Sequence, residues 1–185
     1  MIEVNAITNK KQLDKMKKVL RATSERDYLL FVVGINVGLR ISDLLELKIG
    51  NMINKNEVTI LEGKTKKTRT FTINKTVKLA INEYLSTLDD YNDTDYLFKS
   101  RKGVNKPISR VQAWQVLSDS AKLVGITEPI GTHTLRKTFG YWSYKQGIDI
   151  SLLQDIFNHS SSRITLRYIG ITKKTIEDVY NNLNL

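Results

Sequence analysis

Both histidines of this 185-residue chain lie in its last third. His133 sits in Gly131-Thr-His-Thr-Leu-Arg136. His159 closes Phe157-Asn-His159, nine residues before the tyrosine of Leu166-Arg-Tyr168. Far upstream, Arg40 and Asp43 stand in Gly38-Leu-Arg40-Ile-Ser-Asp43. Two arginines, two imidazoles and a phenol are the equipment for attacking a phosphodiester with a tyrosine and without a metal. A phenol is a poor nucleophile near neutrality, because its pKa is about 10. It needs a base or a cationic pocket. Guanidinium forks grip non-bridging phosphate oxygens bidentately and stay charged.

Each of these residues also has a plainer use. His133 and Arg136, three apart near a helix start, share a face. There the free amides and the helix dipole favour an anion, but a capping histidine beside a surface arginine fits equally well. Arg40 falls where two apolar segments meet, and a buried guanidinium needs a partner. Asp43 is the local candidate, either in a purely structural bridge or to aim Arg40 at a phosphate. Lys64 adjoins Gly63 in the charged turn Glu62-Gly-Lys-Thr-Lys-Lys67. Such a turn is either simply solvated or a finger that delivers an ammonium into a groove. His159 reads as a loop histidine, and Tyr168 is one of eight tyrosines, a type that usually serves packing.

The elements that must position these groups follow from periodicity. Asn9 and Gln12 predict a capped helix over about Lys10 to Ala22, with Leu13, Met16 and Leu20 on its face. Ser24 predicts the cap of a second helix reaching Val37. Its run Tyr28-Leu-Leu-Phe-Val-Val33 is apolar all round, hence central, and Gly38 stops it. A short helix over about Ser42 to Leu47 follows. Glu57–Leu61 and Thr68–Ile73 alternate like half-buried strands and predict a hairpin. Asn74 opens a helix carrying Val77, Ala80, Ile81 and Leu85. Tyr96–Phe98 reads as a short strand. Val111–Val124 reads as a helix with Trp114, Leu117 and Ala121. Thr132 is expected to cap the helix of His133, and Asp149–Phe157 forms another. Over Thr172–Leu185, Ile176, Val179, Tyr180 and Leu183 make an amphipathic stripe. The expected fold is α+β, mainly α-helical, with one small antiparallel sheet.

Composition narrows the partners. Lys and Arg number 29 against 19 acids, a formal net charge of +10. That balance favours a polyanion, chiefly nucleic acid or an anionic membrane surface. No cysteine is present, which excludes a disulfide scaffold, a cysteine nucleophile and a thiolate zinc site. Two histidines make a His-rich metal cluster unfavourable, so neither cofactor nor metal is expected. Met1-Ile-Glu-Val-Asn lacks the basic and apolar regions of a signal peptide. The longest apolar run is far too short to span a bilayer. The expectation is a cytoplasmic protein without a membrane partner.

Order and spacing add what the single motifs lack. Arg40, Lys64, His133-x-x-Arg136, His159 and Tyr168 together resemble the tyrosine recombinase, or phage integrase, family. GLRISDLLEL is similar to that family's first arginine motif and THTLRKTFGY to its second. LLQDIFNHSSSRITLRYIGI is similar to its third, which ends in the nucleophile. The resemblance covers about Ser24 to Tyr180. It implies the family's catalytic-domain fold and a site-specific recombinase or integrase, of a phage or mobile element, that cuts and rejoins double-stranded DNA. Neither metal nor ATP would be needed. Tyr168 would attack the scissile phosphate, giving a 3′-phosphotyrosyl bond and a free 5′-hydroxyl. Arg40 and Arg136 would clamp the non-bridging oxygens, and Lys64 would protonate the leaving oxygen. His133 would assist proton transfer, His159 would hydrogen-bond the phosphate, and Asp43 would brace Arg40. Lys64, Lys66, Lys67 and Arg69 would contact DNA.

Where the family often has Gly, this chain has Asn158, a residue that tolerates left-handed backbone angles. The chain starts about where the family's catalytic domain starts. The expectation is a single catalytic domain over 1–185, without a separate N-terminal DNA-clamping domain. It would be a monomer when free and a homotetramer on DNA. The alternatives are a type IB topoisomerase-like relaxing enzyme and a catalytically idle DNA-binding recombination accessory factor.

Overall fold

One apolar helix organises the chain, and its end positions the site. The computed structural model describes residues 3–171 together with 180 and 181. Helix α1 (Lys10–Thr23) buries Leu13, Met16 and Leu20. Its first amides, from Lys11 and Gln12, donate to the Asn9 side chain. Ser24 then accepts from the Asp27 amide and opens α2 (Glu25–Val37). Leu29 through Val33 are fully buried, because α1, α5 (Lys75–Leu85), α6 (Arg110–Leu123) and α7 (Thr132–Lys145) pack around this helix. Gly38 ends α2 at φ 60°, ψ 32°. That left-handed geometry suits glycine, and a Cβ there would also lie 2.3 Å from the Phe139 ring.

Helices α3 (Ile41–Leu45) and α4 (Ile49–Met52) lead into the hairpin. Strands β1 (Glu57–Leu61) and β2 (Thr68–Thr72) pair antiparallel, from Glu57 opposite Thr72 to Leu61 opposite Thr68. Val58 and Phe71 face each other in that register and are buried, so one face of the hairpin lies on the core. The turn is closed by main-chain bonds from Glu62 N to Lys67 O and from Lys66 N to Glu62 O, both 3.0 Å. Five more helices follow. They are α5 (Lys75–Leu85), α6 (Arg110–Leu123), α7 (Thr132–Lys145), α8 (Ile150–Phe157) and α9 (Ser162–Tyr168). The described residues are thus mainly helical with one small antiparallel sheet, as expected.

Four details differ from the sequence reading. Tyr96–Phe98 is not a strand. Leu97 donates to Leu47 O and Phe98 accepts from Ile108, so the segment bridges two partners and builds a ladder with neither. Gly131, not Thr132, caps α7, and the Thr134 hydroxyl accepts the Gly131 amide in return. Trp114 is 49% exposed, while Ala113, Leu117 and Ala121 supply the buried face of α6. Helices α4 and α9 were not foreseen; each is too short for a periodic signal. The stripe over Thr172–Leu185 lies outside the described residues except for Tyr180, which is exposed.

Among the described residues, the buried apolar side chains other than Leu153 fall into two clusters. A large one runs from Ile7 to Leu135, and a small one holds Phe157, Ile169 and Ile171. The two meet along α7, where Gly140 lets Phe157 and Ile169 approach; a Cβ on it would come within 2.6 Å of Ile169. Among the described residues no helix is long and apolar enough to cross a membrane, and no group of three potential metal ligands occurs.

Candidate active site

Arg40, Lys64, Thr65, His133, Arg136, Phe157, Asn158, His159 and Tyr168 line a single cleft of about 290 Å³. All six residues expected to do chemistry therefore come together, from four separated stretches of chain. Of the hairpin lysines, Lys64 lines the cleft. Lys66 sits in the turn at φ 55°, and Lys67 Nζ reaches Asn158 Oδ1 at 2.9 Å.

The cationic side is built on the C-terminus of α2. Arg136 is 3% exposed and donates to Gly38 O at 2.7 Å and to Phe157 O at 3.0 Å. Arg69 donates to Gly38 O at 3.2 Å and to Val37 O at 2.8 Å. The end carbonyls of a helix carry partial negative charge and lack intrahelical partners, so they suit guanidinium donors. Burial, with Arg69 and Arg40 nearby, pulls the Arg136 pKa down to about 10, which still leaves it charged near neutrality.

Two sequence expectations are corrected here. Arg69 is not placed as a DNA contact: its side chain is 12% exposed and spent on α2 carbonyls and on Glu62. Nor is Asp43 the ion-pair partner of Arg40. Arg40 Nη1 lies 2.7 Å from Glu62 Oε2, whereas Asp43 Oδ1 accepts the Gly63 amide at 3.0 Å. The pairing follows from topology. The hairpin folds back so that the base of its turn meets the end of α2, and Glu62 arrives 3% exposed beside Arg40 and Arg69. Burial alone would raise its carboxyl pKa. The Thr65 hydroxyl and the guanidiniums of Arg40 and Arg69 outweigh that and hold it below the usual range. The Arg40–Glu62 contact is close but out of hydrogen-bond line, so Nη1 is buried without an aligned acceptor among the described residues.

The opposite side carries aromatic rings. The Tyr168 ring lies edge-on to His159, centroids 5.1 Å apart, and Phe157 packs against both at 5.5 and 5.4 Å. Burial raises the Tyr168 pKa, against the pull of Arg136 and Arg40, so the phenol is protonated near neutrality. The pKa values of both histidines are lowered. For His133 the cause is partial burial of the ring, then Arg136, Lys137, Lys64 and Arg40. For His159 it is burial, then Arg136 and Arg40. With both imidazoles neutral and the Tyr168 phenol protonated near neutrality, the cleft holds proton acceptors and a proton donor together. His159 Nδ1 lies 3.1 Å from the buried Thr165 hydroxyl, which leaves Nε2 for the cleft. Asn158 adopts φ 52°, ψ 49° at the end of α8, the left-handed geometry expected where the family often has Gly.

The model of the phage integrase family matches residues 7–175. The chain belongs to that family. It is 45% identical over 177 residues to the Bacillus subtilis protein named probable integrase/recombinase YoeC, covering 96% of this chain and 95% of that one. It is 30% identical over 176 residues to tyrosine recombinase XerA of Pyrococcus furiosus, covering 94% of this chain but 60% of the relative. In fold, this integrase-family chain is similar to the crystal structure of XerA recombinase. There the TM-score is 0.78 at 22% identity, over 100% of this chain and 68% of that one. It is also similar to XerH site-specific recombinase bound to palindromic difH substrate, a post-cleavage complex. That match has a TM-score of 0.73 at 22% identity, over 98% and 53% of the two chains.

Sequence reasoning missed Glu62, Thr65, Phe157 and Thr165. Glu62 carried one signal, an acid opening an otherwise basic turn. Phe157 and Thr165 look like ordinary packing residues in the sequence.

Proposed function

We propose that this integrase-family chain is a site-specific DNA recombinase that cuts and rejoins strands through Tyr168. The observation that carries the reading is the one cleft lined by Arg40, Lys64, His133, Arg136, His159 and Tyr168. A scissile phosphate seated there meets two guanidiniums and an ammonium. Charge that develops on phosphorus-bound oxygens is stabilised by such preorganised donors. His133, neutral at pH 7, takes the proton of Tyr168 as its oxygen bonds to phosphorus. Lys64 donates a proton to the 5′-oxygen as the old P–O bond breaks. His159 Nε2 hydrogen-bonds the phosphate. The phosphotyrosyl ester keeps the energy of the broken bond, so a second 5′-hydroxyl reverses the steps and neither ATP nor a metal is consumed.

The partner is double-stranded DNA, in keeping with the net charge of +10. Residues 1–185 act as one catalytic unit, monomeric when free and tetrameric on paired sites.

The test is incubation with nicked suicide DNA carrying the ends of the element that encodes the protein. The expected result is a denaturant-resistant protein–DNA band, and recombinant junctions on intact paired sites. Relaxation of supercoiled DNA without junctions would point to a topoisomerase-like activity. Binding without a band would point to an idle accessory factor.

A further inference from the structure

Two guanidiniums, of Arg40 and Arg69, flank one buried carboxylate, that of Glu62, which neither the sequence motifs nor the proposed chemistry requires. Its Oε2 lies 2.7 Å from Arg40 Nη1 and accepts the Thr65 hydroxyl at 2.7 Å; its Oε1 lies 3.6 Å from Arg69. Glu62 also closes the turn through its own amide and carbonyl. Lys64 is therefore bracketed: Gly63 is held by Asp43 and Thr65 by Glu62.

We infer that Glu62 is a positioning residue that sets Arg40 and the Lys64 turn in register with each other. The clamp and the acid are built on different segments, the end of α2 and the hairpin, and a single carboxylate references both. The inference rests on the proposed strand-cleavage reading. Glu62 does not line the cleft, so it acts through Arg40 and through the turn. Misplacing a catalytic group by about 1 Å can cost on the order of a hundredfold in rate.

Two modified DNAs separate the arms. A methylphosphonate at the scissile position removes the negative charge that Arg40 holds. A 5′-bridging phosphorothiolate leaves as a thiolate and needs no proton from Lys64. Glu62→Gln keeps an oxygen for Thr65 but loses the charge beside Arg40. It should form adduct roughly tenfold more slowly, or worse, on natural DNA. The defect should shrink to about twofold on the methylphosphonate and persist on the phosphorothiolate. Thr65→Val, which leaves Glu62 and Arg40 in place, should show the reverse pattern. It also decides the matter for the turn if the Glu62 variant does not fold. Wild-type rates for both variants on natural DNA, or defects equal on all three DNAs, would overturn the inference. No adduct from the unaltered protein on any of them would instead overturn the strand-cleavage reading itself.

Discussion

Arg40 and Tyr168 face the same cleft from walls of different construction. The Arg40 wall rests on the large core. Its arginines are held by α2 carbonyls and Glu62, and its hairpin is held by Asp43 and by the core under Val58 and Phe71. The Tyr168 wall is α8 and α9 on the small cluster of Phe157, Ile169 and Ile171. Arg136 joins the two, with one fork nitrogen on Gly38 O and the other on Phe157 O. Donors that stabilise a transition state are most effective when fixed in advance. On the proposed chemistry the Tyr168 wall must let an oxygen enter and leave a covalent bond to DNA, and a wall resting on three buried residues is expected to open locally at lower cost than one on the large core.

The largest effect expected is from Tyr168→Phe. It removes only the oxygen proposed to attack the phosphate and keeps the ring against His159 and Phe157. Adduct should disappear while DNA affinity, drawn mostly from phosphate contacts, stays nearly unchanged. Adduct at the normal rate in a denaturing gel would assign the nucleophile elsewhere.

Arg136→Ala comes next. It removes a phosphate donor and the link between the walls. Cleavage should slow by about a hundredfold or more, the scale of losing one transition-state donor. Unlike an Arg40→Ala change, it should also speed amide exchange in α8 and α9, because Phe157 O loses its partner. Arg136→Lys should rescue little, since a single ammonium nitrogen lacks the planar fork that spans Gly38 O and Phe157 O. Equal exchange in the two alanine variants would remove Arg136 from its linking role.

Phe157→Ala isolates the small cluster. Loss of a fully buried phenylalanine costs about 3–5 kcal/mol when the site cannot collapse. Hydrogen exchange should show that cost concentrated in α8 and α9, with α2 and the hairpin little changed. Uniform loss of protection would mean that the two clusters unfold as one.

The two walls were also unequally legible in the sequence. Gly38 as a stop, the buried α2 and the hairpin all follow from local rules: a left-handed cap, an all-round apolar run, an alternating pattern. So does the end of α8 at Asn158. The ion pairs of the cationic wall do not. Asp43, three residues from Arg40, is the obvious partner by spacing. The actual one, Glu62, arrives through a hairpin fold-back that no local pattern encodes. Arg69 shares the inward face of β2 with Phe71 by alternation, but its charge reads as a DNA contact, and only the fold shows it turned onto the carbonyls of α2. On the other wall, α9 escaped notice because Ser160-Ser-Ser162 reads as loop and seven residues are too few to show a period. Arg40, His133, Arg136, His159 and Tyr168 could be singled out by motif order, which records chemistry. Their supports could not, because those depend on long-range contacts.

A smaller effect is expected from pH. The folded-state pKa values of His133 and His159 lie below the usual 6.5, so the unfolded chain binds more protons as pH falls below that value. Stability should therefore be lost on acidification from pH 7 toward 5. Glu62, with a folded pKa below 4.5, keeps its contribution until pH falls below that range. Hence the first loss belongs to the histidines, and a His133→Asn, His159→Asn double variant should lose less Tm over the same interval. Under the proposed mechanism, cleavage should fall in the same direction, because a charged His133 cannot take the Tyr168 proton. An unchanged Tm interval in the double variant would place the acid sensitivity elsewhere.

The smallest effect tests the point where the hairpin touches the other wall. Lys67 Nζ meets Asn158 Oδ1 at 2.9 Å in an exposed contact. Solvent competes for such a bond, so it adds about 1 kcal/mol or less. Lys67→Ala should leave Tm nearly unchanged and exchange in α8 only slightly faster. If the hairpin tip lies along duplex DNA, the same substitution should weaken binding about equally for all sequences. It should also lower the log–log salt slope by roughly 0.9, the value of one released phosphate contact. Arg69→Ala is the contrast. Its guanidinium is turned inward onto Val37 O and Gly38 O, so it should lower Tm and leave the salt slope as it was. A slope that moved with Arg69 and not with Lys67 would reverse the assignment of the two faces of the hairpin.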